Sequence, residues 1–487
     1  MLPEQGVGVT YSSGLDPLIR DNPALFHVVE VEPQTFWLET RNAAKPYRVL
    51  DDLFERIAGL PGKKLVHSVG APVGGTVPPE DGQFELLRQA ISILGAAYAS
   101  EHLSFNSTHG FNTGFFLPPR QTPQGVEKAT VSIAKLRDAI QVPLAVETGV
   151  NYFQRRQDEM PDGDFFAAVV EAADCGILLD LHNLYANEIN GRQSVEEFLS
   201  AIPLDRVWEV HLAGGMERDG YYLDAHSGAV EDRLFNLSKR IISRLPNLKT
   251  IIFEIFPSFL PLTGVDLVKR EVERLHELWS VRGTAKAAVP GQRPAVNTTA
   301  AEPSFVPEEW ELSVGKLAVG GSTDSLLFGE LANDPAIPVI QKLIQEFRGS
   351  MLVGVLPLSC RLMILTLTEN IFMAVLKDFW AKRTPRQYAS AEAMQFADYL
   401  RQLNLKVPSL AQVLEFETAV INTLADDVAR VVTFDFNPFP LLQSLAEGKL
   451  PEREGELGKY EIEVTPEVYN QLSENGGYQL SAAFPYH

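Results

Sequence analysis

Over the first part of the chain, short continuous apolar runs alternate with longer stretches whose apolar residues recur at helical spacing. The short runs read as strands buried on both faces, the longer ones as helices with one apolar side. Predicted strands are Gly6–Thr10, Val28–Glu32, Lys64–Val69, Tyr98–Phe105, Leu144–Glu147, Gly176–Leu181, Val207–Leu212 and Thr250–Ile255. Helical patterns fall between them at Glu85–Ala97, Gly125–Ile140, Gly163–Ala173, Ser194–Ala201 and Val265–Val281. Strands separated by helices in this number predict an α/β fold, a TIM-like (β/α)8 barrel. An open doubly wound sheet is the alternative, but no Gly-rich dinucleotide turn follows the first strand.

The periodicity lapses at 284–304, where Ala, Pro, Gly and Thr dominate. This stretch reads as a linker between a barrel domain, 1–283, and a second domain, 305–487. In the second domain Ile337–Arg348, Met363–Lys382, Gln387–Leu403 and Ser409–Ala425 look helical. Arg430–Phe436 and Lys459–Val464 look like strands, with a helix, Pro440–Glu447, between them. A smaller, mainly helical α+β domain is therefore expected to follow the barrel. Its single histidine is His487, so chemistry is expected in the barrel.

Composition narrows the classes of function. Hydrophobic residues make up 45% and charged ones 22%, as in ordinary globular proteins. The formal net charge of −21 would repel a polyanion over most of the surface, so a nucleic-acid partner is not expected. The N-terminal stretch lacks a basic start followed by an apolar core, so no secretory signal is expected. The most apolar run, Met351–Leu367, is interrupted by Pro357 and Arg361 and reads as buried protein rather than a membrane span. The cytoplasm is the expected compartment. With only Cys175 and Cys360, neither a disulfide framework nor a thiolate metal site can be built, so any metal must be held by His, Asp, Glu and Asn.

Those residue types gather at the C-terminal ends of the predicted strands, where barrel enzymes carry their chemistry. His67, His102, Glu147, Asp180, His211 and Glu254 end or nearly end six strands. His182 and Asn183 follow Asp180 directly, and Asp224 and His226 lie in the loop beyond His211. Burying one carboxylate or imidazole costs several kcal/mol unless it is paired or metal-bound. So many at one end of one barrel, with few Lys or Arg nearby, point to a multinuclear metal site. All-N/O ligation suits zinc, manganese or iron. The order of the residues suggests three positions. His67, His102 and Glu147 would hold one ion. Glu147 would bridge to a second, with Asp180, His211 and Glu254. Asp224 and His226 would take a third, with His182 or Asn183. His27 reads as structural and His276 as a surface residue of an amphipathic helix, while His109, in an NSTHG loop, reads first as solvated loop and second as a substrate contact.

HSVGAPVGG, SEHLSF, ETGVNYF, GILLDLHNLYAN, EVHLAGG, the Asp224-Ala-His226 triplet and FEI occur in the order and spacing of the multinuclear non-haem iron-dependent oxidative enzymes (MNIO family), which the chain resembles from Gly6 to Arg282. The resemblance implies a barrel related in site architecture to endonuclease IV and xylose isomerase. It implies two or three iron ions of mixed Fe(II)/Fe(III) valence, and dioxygen as co-substrate. The implied reaction is oxidation of a ribosomally synthesised precursor peptide at Cys, or at Asp or Asn. His67, His102, Glu147, Asp180, His211, Asp224, His226 and Glu254 fall in the ligand positions. Glu147, Asp180 and His182 are then expected in catalysis, and His109 and Asn151 against substrate. Two departures stand out: the family's Asp-x-Asn-Asn is Asp180-Leu-His182-Asn183 here, and Thr148 replaces the Asn that commonly follows Glu147.

FADYLRQLNLKVPSLAQVLEFETAV and VVTFDFNPFPLLQSLAEGKLP resemble the separate partner proteins that help such enzymes bind the leader of the precursor peptide. Fusion would make a separate partner unnecessary, with Arg430–Phe436 or Lys459–Val464 capturing the leader as an added strand; a helical stability domain is the plainer reading. Two rival functions remain for the barrel. One is a metal-dependent hydrolase or isomerase, although the acidic chain lacks a DNA-tracking surface and a strand-end Lys. The other is a non-catalytic, metal-dependent peptide-binding protein.

Overall fold

The computed structural model describes residues 2–285 and 305–466, apart from 41, 43, 50, 51, 80, 404 and 454. Most of the linker, and the C-terminal segment that carries His487, lie outside the described residues. The chain forms two compact units. One comprises Met1–Phe36 with Asp51–Gln341, the other Trp37–Leu50 with Lys342–His487.

The first unit is built on a closed barrel of eight strands: β1 (Gly6–Thr10), β2 (Val28–Val31), β3 (Lys63–Ser68), β4 (Ala99–His102), β5 (Leu144–Glu147), β6 (Gly176–Asp180), β7 (Val207–Ala213) and β8 (Thr250–Glu254). Each strand pairs in parallel with its neighbours in sequence. Closure comes from β8 returning to β1, with Gly6 opposite Thr250 and Val9 opposite Phe253. The strands are almost wholly buried, as expected of runs lined by the barrel interior on one face and helices on the other. Between β1 and β2 the backbones come so close that a Cβ on Gly8 would lie 1.8 Å from the Val28 carbonyl oxygen.

The strand bounds follow the apolar runs to within a few residues. The largest difference is at Tyr98–Phe105, where the chain leaves the barrel at His102 and enters an antiparallel hairpin, Phe105–Thr108 with Phe111–Leu117. Helices Leu181–Ile189 and Asp232–Ile242 add to those the sequence predicts. The first is capped by Asp180 itself, whose carboxylate accepts from the Asn183 N–H at 2.9 Å.

Residues 305–341, grouped with the second domain by sequence, fold as part of the first unit. Helix Pro307–Ala318 packs on the barrel through Trp310, which is 1% exposed. Its indole N–H donates to the Pro118 carbonyl at 2.9 Å, its ring meets Phe153 at 5.7 Å, and the Arg120 guanidinium lies 5.1 Å from it. Glu311 beside it accepts from the Thr76 N–H at 2.8 Å.

The second unit is mainly helical. Cys360, Phe379, Phe396, Val413 and Leu445 lie in its core, and a two-stranded antiparallel sheet pairs Arg430–Phe436 with Leu457–Val464. The helix predicted at Met363–Lys382 is two helices, Pro357–Leu367 and Glu369–Lys382. Thr368 between them has φ +77°, which no α-helix tolerates. A small hairpin, Trp37–Glu39 with Tyr47–Val49, inserted after β2, also belongs to this unit. Trp37 and Tyr47 pack on Tyr388, and Glu39 pairs with Arg386 at 2.7 Å. Among the described residues no single helix is long and apolar enough to cross a membrane; the apolar run at 351–367 is shared between helices bent by 107°.

Candidate metal centre

The barrel gathers the predicted ligands at the C-terminal ends of its strands. His67 projects from β3, His102 from β4, Glu147 from β5, Asp180 from β6, His211 from β7 and Glu254 from β8. His182 and Asn183 sit in the first turn after β6, and Asp224 and His226 follow the hairpin Met216–Arg218/Tyr221–Leu223 beyond β7. His226 has φ +43°, an uncommon conformation for a side-chain-bearing residue and one that strain at functional sites often explains.

Glu147 lies between two imidazoles, its Oε2 3.3 Å from both His67 Nε2 and His102 Nε2. One ligand atom from each of these three residues lies within 4.8 Å of the others, and the same holds for Glu147, Asp180 and His211 and for Asp180, His226 and Glu254. The sets overlap at Glu147 and at Asp180, as carboxylates shared between neighbouring ions would require. His211 Nδ1 is 3.2 Å from Glu254 Oε1. At the far side Asp224 Oδ1 stands 2.8 Å from His226 Nε2 and 3.5 Å from His182 Nε2. Asn183 turns its amide nitrogen toward Glu147 Oε1, at 3.4 Å.

Most of these atoms are buried without a hydrogen-bond partner: Glu147 Oε2, Asp180 Oδ2, Asp224 Oδ1, Asn183 Oδ1, His226 Nε2 and both nitrogens of His182 and His211. Unsatisfied buried polar atoms are rare in native proteins, and their convergence here fits the donor set of a metal cluster. The electrostatics agree. Burial raises Glu147 well above the usual carboxylate range, with Asp180 and Glu254 adding to it against the pull of His211. Burial pushes Asp180 up to about 7, and Glu254 and Asp224 reinforce it. Burial also drives His67 well below the ordinary imidazole value, helped by His102 and His211. It opposes the charge on His226 too, but Asp224 and Glu254 overcome it and lift His226 to about 10. The ion-pair partners of Glu147, Asp224 and Glu254 among the described residues are all histidines, with no Lys or Arg among them.

Neighbouring residues hold the ligands in place. His67 Nδ1 meets Ser100 Oγ at 2.9 Å, which leaves Nε2 facing Glu147. Glu101, next to His102, is engaged by Ser68 Oγ at 2.6 Å and the Ala71 N–H at 2.9 Å, and so organises the loop after β3. Phe116 stacks on His102 at 4.4 Å and Phe256 on His226 at 4.5 Å, forming two aromatic walls. Asn151 is buried; its N–H donates to Asn187 Oδ1 and its own Oδ1 accepts from the Phe153 N–H. The intervening Tyr152 hydroxyl accepts from the Asp224 N–H at 3.2 Å. His109 is exposed at the turn of the Phe105–Leu117 hairpin. His276 is half-buried rather than on the surface, with Nε2 2.9 Å from the Leu25 carbonyl.

Two acidic residues absent from the sequence-based set, Glu30 on β2 and Glu209 on β7, form a further buried group with His211. A signal for Glu209 was present: in the alternation of β7 it shares a face with His211, two residues on.

Residues 6–265 match the protein family described as RiPP precursor modification enzyme MbnB/TglH/ChrH. A UPF0276 protein of Chromobacterium violaceum is 33% identical over 187 residues, covering 38% of this chain and 68% of its own length. One from Anaeromyxobacter is 28% identical over 228 residues, covering 46% of this chain and 79% of its own length. Among solved structures, endonuclease IV from Thermus thermophilus aligns over 56% of this chain and 100% of its own, with 16% identity and a TM-score of 0.38. A xylose isomerase domain protein from Salmonella typhimurium aligns over 57% and 99%, with 16% identity and a TM-score of 0.41.

Proposed function

The chain belongs to the MbnB/TglH/ChrH family of RiPP precursor modification enzymes, and from that premise we propose that it is an oxidoreductase using two or three iron ions and dioxygen to modify a ribosomally synthesised precursor peptide. The target is a Cys, or an Asp or Asn, and the reaction takes place in the cytoplasm. The observation that carries the reading is the convergence of buried, unpartnered imidazole nitrogens and carboxylate oxygens at one end of the barrel.

When bound, iron supplies Lewis acidity and electron transfer to dioxygen. His67, His102 and Glu147 would hold one ion; Glu147, Asp180, His211 and Glu254 a second; and Asp224 and His226, with His182 or Asn183, a third. Glu147, common to the first two sets, would keep their ions close, and Asp180 lies also beside His226 and Glu254. His182, buried and beside Asp224, is available to hold a proton at the reacting end. Phe116 and Phe256 limit water around the ligands and orient the side chain that enters. Asn151 fixes the loop bearing Tyr152, while His109 meets the peptide farther out.

The second unit recruits the leader. Its sheet has two strands, so each keeps an edge unpaired by any other strand among the described residues, which suits strand addition. Lys459, Glu461 and Glu463 are exposed along Leu457–Val464, and the acidic pair, like the net charge of −21, favours a basic leader. With this unit in the same chain, no separate partner protein is required.

Metal analysis after anaerobic purification, followed by oxygen-electrode measurements with the precursor peptide, tests the proposal. It predicts bound iron and peptide-dependent oxygen consumption. Zinc alone with no oxygen uptake would overturn it, as would turnover without oxygen, which marks a hydrolase or isomerase.

A further inference from the structure

We infer that Glu30 is a positioning residue for the metal centre: its carboxylate is the acceptor for the Nε2–H of His211 and so holds the proton on that nitrogen, leaving Nδ1 of the ring for metal. The inference rests on the reading of the barrel mouth as a metal site, and adds a residue outside the ligand set. His211 is fully buried, and its two nitrogens face different surroundings. Nδ1 looks toward the ligand cluster, 3.2 Å from Glu254 Oε1. Nε2 looks into the barrel interior, 3.2 Å from Glu30 Oε1 and 3.8 Å from Glu209 Oε1. Both of those glutamates are fully buried.

A neutral imidazole carries one proton, and its position decides which nitrogen can ligate. With the proton on Nδ1, an N–H would point into the metal cluster and the Nε2 lone pair would face buried carboxylate oxygens. That arrangement is repulsive at both ends. With the proton on Nε2 both ends are satisfied. Glu30 Oε1, 3.2 Å away, is the nearer of the two carboxylates, though the pair is not aligned as a hydrogen bond in this structure; Glu209, at 3.8 Å, lies beyond hydrogen-bond reach. His67 follows the same logic with a neutral partner, since Ser100 Oγ occupies its Nδ1 and leaves Nε2 for Glu147. A carboxylate makes its histidine a stronger electron donor than a hydroxyl does, so the two ligands differ in basicity. Glu30 is also tied to the cluster through Thr10, whose hydroxyl stands 3.4 Å from both Glu30 Oε1 and Glu254 Oε1.

Cobalt(II) titration of the metal-free full chain, followed by visible absorption, reads stoichiometry, affinity and ligand field in one experiment. Glu30→Gln is expected to bind as many cobalt ions as the wild type at saturation, one of them about 10- to 100-fold more weakly and with a shifted absorption envelope. Glu30→Ala should lose more affinity, so that Gln counts as partial rescue, and Glu209→Gln should lose less than Glu30→Gln. Circular dichroism checks the fold. If Ala at this buried position does not fold, the isosteric Gln variant decides the matter. Binding and spectra like wild type in Glu30→Gln would overturn the inference. So would loss of a whole cobalt equivalent at saturation, which would make Glu30 a ligand. A wild type that binds no cobalt would instead refute the metal centre itself.

Discussion

Removing the metal should make the barrel less stable as pH rises, because protons must then replace cations among the buried carboxylates. Burial pushes Asp180 up to about 7, and burial pushes Glu30 up to about 8 against the pull of His211. In the unfolded chain both titrate near their ordinary values of 3.8 and 4.5. Between those values and the folded ones, the folded protein keeps protons that the unfolded chain has released. Stability is therefore fully present below the unfolded values and is lost as pH rises through the folded ones. At about 1.4 kcal/mol per pH unit, the span from pH 6.5 to 8 costs on the order of 2 kcal/mol across the two groups. His226, lifted to about 10, acts in the same direction. His67 and His182, held down by burial, act the other way but mainly below pH 6.5. For a unit of this size the loss corresponds to roughly 4 °C or more in Tm. Anaerobic calorimetry with and without iron(II) at the two pH values provides the assay. Bound metal displaces the protons and binds more tightly as pH rises, so the trend should vanish or reverse in the loaded protein. Glu417 in the second unit, pushed up to about 7 by burial, titrates alike in both forms and cancels from the comparison. A metal-free Tm that is flat or rises from pH 6.5 to 8, or the same slope in both forms, would refute the reasoning.

Other consequences follow from single side chains. Glu147 takes part in two ligand sets and His67 in one, so Glu147→Gln should lose more bound metal than His67→Ala when both are assayed by plasma mass spectrometry. Trp310→Ala removes a buried ring and the indole bond to Pro118, and should destabilise the first unit by about 3–5 kcal/mol in denaturant titration with metal content unchanged after refolding. Phe256→Ala strips the aromatic cover from His226; peptide turnover should fall while iron content, measured in parallel, stays at the wild-type level.

The features legible in the sequence were those with a local signature. Apolar runs such as Gly176–Leu179, ending abruptly at Asp180, marked both the barrel strands and the end at which charge collects. Nothing in the run Val28–Val31 shows which way Glu30, or Glu32 beyond it, will point; only the pairing of β2 with β1, β1 with β8 and β8 with β7 puts Glu30 near His211. Glu101, beside His102, turns its carboxylate to accept from the Ala71 N–H in the loop after β3 and from the His102 N–H. Trp310 and the Trp37–Val49 hairpin were illegible for another reason. Each joins its unit through residues distant in the chain, Pro118 and Phe153 for the first and Tyr388 for the second, and periodicity carries no information about such partners.

The most direct test is mass spectrometry of a short peptide encoded beside the gene, incubated with the anaerobically iron-loaded protein and then exposed to oxygen. The account predicts a mass change on the peptide that requires both iron and oxygen and is abolished by Glu147→Gln. A peptide that binds but keeps its mass, or that changes mass equally without oxygen, would contradict it.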